Sequence, residues 1–319
     1  MLGRLAASGL LLVAAAAAAQ DFPNRPVRII VGFPPGGNVD LTARAVAPGL
    51  GDALGQQVVV ENRGGAGGTV ATLAVIKSPP DGYLLALGSS GTVTIAPNVY
   101  RSATYDPVRD MTAIGPIQMV PLVITAAAKT PVASYAELVA LVKARNGQVS
   151  MASAGNGTSN HLAIELLRKL GNLDVLHVPY KGAGPALNDL LGSQVETMMD
   201  QLSASMPHIR DGRIKPLAVT SAKRSSFLPN VPTLAELGVT GYEASTFTGL
   251  FGPANMPQPV VDKLAQALRT ALAQPAVRER YRAMGAEVLD WSRDEFAAYV
   301  RTDFEKWRAI TRDGNITAE

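Results

Sequence analysis

A chain of 319 residues with 47% hydrophobic and 17% charged side chains has the apolar content for one large or two medium globular units. Its formal charge of +3 is dispersed, and no lysine/arginine stripe with interleaved aromatics is present, which argues against a nucleic-acid partner. The absence of cysteine excludes disulfides, thiol chemistry, zinc–thiolate sites and a lipid-bearing cysteine.

The chain opens with Arg4 ahead of an apolar run from Leu10 to Ala19, ending in Ala17-Ala18-Ala19. A charged start, a short apolar core and small residues at its end form a secretory signal, residues 1–19, with cleavage after Ala19. The run is shorter than the about 20 apolar residues that a membrane span needs. The expected mature protein is soluble in the periplasm.

From Pro26 onward, short apolar β-rich runs alternate with helix-length segments. Val27–Val31 predicts a strand, Asp40–Leu54 a helix, Gln57–Val60 a strand, Gly68–Lys77 a helix and Tyr83–Leu87 a strand. This βαβαβ order points to a parallel sheet with helices on its faces. The order recurs after Val120–Ala126, an extended run. Ser134-x-x-Glu137 is a capping box opening a helix to about Arg145. Strands come next at Val149–Ser153, Val175–Pro179, Val195–Met199 and Lys215–Thr220, with helices at Thr158–Leu170 and Ala183–Leu191. A helical tail runs from Pro259 to about Ile310, broken near Met284-Gly285. Two α/β units imply a cleft between them. The stretches Met111–Thr125 and Gly241–Pro253 are the expected crossings.

Four strand ends share one character: GFPPGGNVD (32–40), LGSSGT (87–92), SAGNGTSNH (153–161) and PYKGAGPA (179–186). Each comes after an apolar run and is rich in glycine or small polar residues, and most open a helix. A helix N-terminus leaves amide hydrogens unpaired and carries partial positive charge, so an anion docks there without an arginine. Ordinary βα turns favour the same residues, so each loop alone is ambiguous. Ligands of open α/β sheets gather at the carboxyl ends of strands, where these loops lie.

Enzyme motifs fail by spacing. No G-x-x-x-x-G-K-[ST] loop exists, and the glycine runs from Gly65 and Gly155 both miss G-x-G-x-x-G at the last glycine. Leu87–Gly91 resembles a nucleophile elbow without its G-x-S-x-G spacing. His161, His177 and His208 do not pair at metal spacing, so no metal site is expected. His161, at a helix start, is a pocket contact or a packing and capping residue; His177 reads as structural. Asp200 ends a strand run, where it either faces the cleft or caps the next segment. Met198, Met199, Leu187 and Leu191 read as core.

The signal and the segments PVRIIVGFPPGGNVDLTAR, VVVENRGGAGG, SPPDGYLLALGSSGT, GTSNHLAIELL, VPYKGAGPALNDLLGSQVE and FGPANMPQPVVDKL together resemble the solute receptors of tripartite tricarboxylate transporters, the Bug-type periplasmic binding proteins. The resemblance covers essentially the whole mature chain. It implies an α/β, two-domain periplasmic-binding-protein (type II) fold with the ligand cleft between the domains and two strand crossings. The expected division is residues 20–123 plus 245–319 as domain 1 and 124–244 as domain 2. It further implies a receptor without catalysis or cofactor, a monomer, that binds a small organic acid and delivers it to membrane transporter subunits. Such acids are di- and tricarboxylates, amino acids or aromatic acids.

In that family the first βα loop and the glycine–threonine loop of the second domain grip a ligand carboxylate, partly through water. The corresponding residues here are Phe33, Pro34, Pro35, Gly36, Gly37, Asn38 and Asp40, and Ser153, Ala154, Gly155, Asn156, Gly157, Thr158 and His161. Ser89, Ser90 and Asp200 fall where further pocket contacts would lie. The sequence leaves two other functions open. One is a periplasmic ligand sensor signalling to a membrane protein; the other is a secreted hydrolase using Ser89, Ser90 or Ser153, for which the sequence identifies no histidine–acid partner.

Overall fold

The computed structural model describes residues 22–313 and 316–318. The predicted signal lies outside the described residues. β-branched runs and amphipathic runs alternate as expected at the start: β1 (Val27–Val31), α1 (Asn38–Leu54), β2 (Val58–Asn62), α2 (Thr69–Ile76) and β3 (Leu84–Ser89). These three strands are parallel, in the order β2-β1-β3. A π-helical turn, Ser90–Ile95, adjoins the end of β3 directly.

β4 (Met111–Ala127) is a single 17-residue strand. Beyond it come α3 (Tyr135–Ala144), β5 (Ser150–Ser153), α4 (Ser159–Gly171), β6 (Leu176–Pro179), α5 (Ala183–Leu191), β7 (Thr197–Gln201), α6 (Leu202–Arg210) and β8 (Ile214–Val219). The chain returns through β9 (Ser245–Pro253) and ends in α7 (Gln258–Ala273), α8 (Pro275–Ala283), β10 (Glu287–Val288) and α9 (Arg293–Asp313).

The sheet order is β2-β1-β3-β9-β4-β7-β5-β6, with β8 and β10 also pairing with β4. The two expected crossings are therefore partners: β4 and β9 run antiparallel from Met111↔Pro253 to Pro121↔Ser245. Past Pro121, the rest of β4 pairs instead with β7 and β8. One long strand thus joins two parallel βα arrays. β-bulges between Ala113/Gly115 and Pro116/Gln118 interrupt its ladder with β9.

Each array has its own apolar core. Ile29, Val31, Leu50, Leu264, Leu268 and Tyr281 pack together on one side of β1, and Ile30, Phe247, Phe251 and Phe296 on the other. Beyond β4, Leu138, Met151, Ile164, Leu167, Met199 and Tyr242 form a separate cluster, and Ala152, Leu187, Leu190 and Met198 another. Leu187, Met198 and Met199 are buried as core, as expected, whereas Leu191 only flanks its cluster.

Four points differ from the expectation. β7 begins two residues later than the sequence pattern places it, and ends at Gln201. Helix α6 is not predicted, because a serine- and proline-containing run, LSASMPHIR, has a weak helical signature. The helical tail has a second break at Gln274, before Pro275. The capping box at α3 is half as expected: Glu137 N–H donates to Ser134 Oγ at 3.2 Å, but the Glu137 carboxylate accepts from Ala133 N–H at 2.6 Å, one residue earlier.

Candidate functional site

All four glycine-rich loops meet. They converge at the carboxyl ends of β1, β3 and β5 and at the start of α5, around one buried cavity. Phe33, Gly37 and Asn38 come from the first loop, Ser89 and Gly91 from the second, Ala154 and Thr158 from the third, and Ala183 from the fourth. Val39, Ser159, Asn160 and Gln201 complete the lining, so none of the lining side chains is charged. The cavity measures about 20 Å³. That holds a water molecule and falls far short of the about 300–1,000 Å³ of small-molecule pockets.

Three helix N-termini point into this space: α1 behind Gly37, α4 behind Thr158 and α5 behind Gly182. Neither Gly37 nor Gly182 offers a side-chain cap, so the first amides of α1 and α5 have no side-chain acceptor at the cap position. Thr158 caps α4 conventionally, its Oγ1 accepting from His161 N–H at 3.4 Å. Aligned peptide dipoles give each N-terminus about half a positive charge. A cavity with no cation in its lining is therefore electropositive.

The first loop is closed onto the fourth. A Cβ placed on Gly37 would lie 3.3 Å from Ala183 Cβ, and one on Gly184 would lie 2.4 Å from the Pro35 carbonyl oxygen. Gly36 adopts φ +91°, which glycine alone adopts cheaply. Its N–H donates to Asp40 Oδ2 at 3.0 Å, and Asp40 Oδ1 accepts from Arg44 Nε and Asn62 Nδ2, each at 2.9 Å. Asp40 is thus outside the cavity lining and anchors the loop from behind. Burial works to raise its carboxyl, but the hydrogen bonds from Arg44, Gly36 and Asn62 outweigh burial and hold it below its ordinary value.

The other expected site residues divide by which way their side chains turn. Ser89 lines the cavity, while Ser90 is fully buried beside β9, its Oγ accepting from Phe247 N–H at 3.1 Å. Ser153 turns away from the cavity: its Oγ is 2.7 Å from His177 Nε2 and accepts from Gly155 N–H at 3.1 Å. His161 also lies behind the loop, where its Nδ1 accepts from Gly157 N–H at 3.1 Å and its ring stacks on His177 at 4.5 Å. Burial, then the neighbouring His161 and Arg168, push His177 down to about 4.

Asp200 is fully buried and absent from the cavity lining. It accepts from Ser205 Oγ at 2.8 Å, and burial pushes its carboxyl up to about 7. Its neighbour Gln201 lines the cavity instead, because successive strand residues face opposite sides.

Beyond Phe33, Ala154 and Thr158, which border both spaces, an outer chamber of about 500 Å³ opens. It includes Pro34, Gly155 and Asn156 from the expected set, together with the 64–68 loop, Tyr100, Tyr180 and Lys181. The Tyr100 hydroxyl donates to the Asn156 carbonyl across the mouth. Val39, Gly91, Ser159, Asn160, Ala183 and Gln201 are not singled out by the sequence. Five of them sit within the quoted loops, and a wider reading of those loops would find them; Gln201 requires the register of β7.

A family model described as "Tripartite tricarboxylate transporter family receptor" matches residues 42–316. Protein BugT of Bordetella pertussis is 36% identical over 302 residues, covering 94% of this chain and 93% of the relative. The structure of the periplasmic binding protein BugD superposes with a TM-score of 0.88 at 38% identity, covering 93% of this chain and all of the other. That of R. palustris Rpa4515 with adipate also gives 0.88, at 33% identity, covering 93% of this chain and 99% of the other. The chain has the α/β periplasmic-binding-protein fold and belongs to the tripartite tricarboxylate transporter receptor family.

Proposed function

We propose that this protein is exported by its N-terminal segment and captures a small organic acid in the periplasm, as a monomer, for the membrane subunits of a tripartite transporter. The observation that carries the reading is the convergence of three helix N-termini on one buried cavity lined by neutral side chains. Such a place suits a carboxylate, and one structural neighbour holds adipate. The proposed contacts are the backbone and side chains at Phe33, Gly37, Asn38, Ser89, Ala154 and Thr158, with the outer chamber taking the rest of the ligand. Residues 20–123 plus 245–319 form one domain and 124–244 the other, hinged where β4 and β9 cross. A cavity of about 20 Å³ admits an acid only after the domains part, so ligand capture requires opening and reclosure.

The Ser153–His177 contact is the one feature that favours a hydrolase. Ser153 is fully buried outside the cavity, and a histidine held near 4 is a weak base at neutral pH. A sensor role would use the same cleft and differ only in partner. Calorimetry of the mature protein against malonate, succinate, glutarate, adipate and malate tests the reading. Saturable 1:1 binding of at least one acid, without its consumption, is the expected result. No binding across the panel, or turnover abolished by Ser153→Ala, overturns it.

A further inference from the structure

Three amide side chains line the cavity, and two of them are committed within the protein. Asn160 Nδ2 donates to the Met199 carbonyl at 2.8 Å; Gln201 Nε2 donates to Asn160 Oδ1 at 3.0 Å and Ser159 Oγ at 3.1 Å. Asn38 is 3% exposed, and its Nδ2 has no hydrogen-bond partner among the described residues.

The hydrogen bonds around Asn38 assign the orientation of its amide. The Thr42 hydroxyl donates its one proton to the Asn38 backbone carbonyl at 2.7 Å. Toward Gln118 it can then only accept, so the atom 2.6 Å away is Gln118 Nε2, a donor. The same Nε2 lies 2.6 Å from Asn38, which must present its oxygen there. Ser203 Oγ, from the start of α6, donates to that oxygen as well. In this arrangement Oδ1 is bound on two sides and Nδ2 is left as a buried donor at the N-terminus of α1, while Gln118 Oε1 likewise has no partner among the described residues.

We infer that Asn38 is a specificity-determining donor that selects an acceptor-only ligand group, and that Thr42, Gln118 and Ser203 are positioning residues that set its orientation. The ligand class is a carboxylic acid without an amino group beside the captured carboxylate. An α-ammonium there would meet the Asn38 N–H₂ and helix N-termini, with no acidic side chain among the cavity-lining residues. The inference rests on the carboxylate reading above and narrows it. It also ties recognition to closure, since Gln118 lies on the crossing strand β4 and Ser203 beyond it.

The test uses matched pairs that differ in the α-amino group: succinate with aspartate, glutarate with glutamate, and adipate with 2-aminoadipate. In wild type, the des-amino acid of the best-bound pair should bind at least tenfold tighter. Asn38→Asp replaces the donor by an acceptor, and should lower that affinity by more than tenfold and shrink the preference within the pair. Gln118→Glu should do the same from a distance, by accepting from Asn38 Nδ2 and turning Oδ1 into the cavity. A merely structural role would weaken both members of a pair alike. If Gln118→Glu does not fold, Ser203→Ala, which frees one side of Oδ1, should reduce the preference within the pair. Equal affinity for both members in wild type, or unchanged selectivity in Asn38→Asp, overturns the inference while leaving the carboxylate reading intact. No response to any of the six compounds overturns both.

Discussion

Asp40 shows how a loop residue can serve a site without facing it. The family resemblance reads it as a ligand contact. In the structure it is 2% exposed and holds the glycine turn through Gly36 N–H, Arg44 and Asn62. The Arg44 side chain is half exposed, so its charge is partly screened, and the part-buried bonds from Gly36 and Asn62 add to its hydrogen bond. Asp40→Ala removes a buried carboxylate shared by three hydrogen-bond donors, at about 1–3 kcal/mol. Its urea midpoint should fall with an unchanged slope, a result that equilibrium unfolding reads directly. A full-strength midpoint with lost binding would place Asp40 in direct contact with ligand instead. Ser90, Ser153 and Asp200 teach the same lesson. Residue type and position at a strand end were legible; side-chain direction was not, because it depends on register that a single sequence does not display. Asn38 is the converse: the family resemblance names it as a ligand contact, but the partners that orient its amide, Gln118 and Ser203, lie far away in sequence.

At the scale of elements, the alternation of short apolar runs and amphipathic segments located most strands and helices to within a few residues. It missed α6, whose burial comes from tertiary packing rather than propensity. Elements also place two titrating groups in opposition. His177, held on β6 under α4, has its folded value near 4 against an ordinary 6.5. The unfolded state therefore takes up that proton first, and stability is lost as pH falls from about 6.5 toward 4. Asp200, inside β7, runs the other way: its folded value near 7 exceeds the ordinary 3.8, so its contribution is present at acid pH and lost as pH rises through 7. Between about pH 4 and 6.5 the two slopes oppose each other. His177→Gln keeps a hydrogen-bonding partner for Ser153 and removes one slope. Relative to wild type, it should become more stable at pH 5 than at pH 7. Asp200→Asn should show the reverse trend. Urea midpoints of the three proteins at both pH values decide it; parallel shifts with pH would show that neither group titrates as its surroundings imply.

At the scale of the whole molecule, the proposed hinge makes a claim that absence of cysteine renders unusually clean to test. The first loop and the start of α5 lie on opposite sides of the cleft, and a Cβ on Gly37 would sit 3.3 Å from Ala183 Cβ. Disulfides place their Cβ atoms about 3.5–4.5 Å apart, so a bridge needs only a small shift. Gly37 has φ −87°, a conformation open to any side chain. With no native cysteine, the double variant Gly37→Cys/Ala183→Cys has one possible intramolecular disulfide. If capture requires the domains to part, the oxidised variant is locked shut, with only about 20 Å³ behind the bridge. It should unfold at a higher temperature than the reduced form, since a cross-link restricts the unfolded chain. It should also lose the thermal shift that a bound acid gives wild type. Reduction should restore at least part of that shift, limited by the side chain now present at position 37. An oxidised variant that binds acid at the rate of the reduced one would mean that ligand enters without opening, through the outer chamber past Phe33, and the hinge at β4 and β9 would have no part in capture.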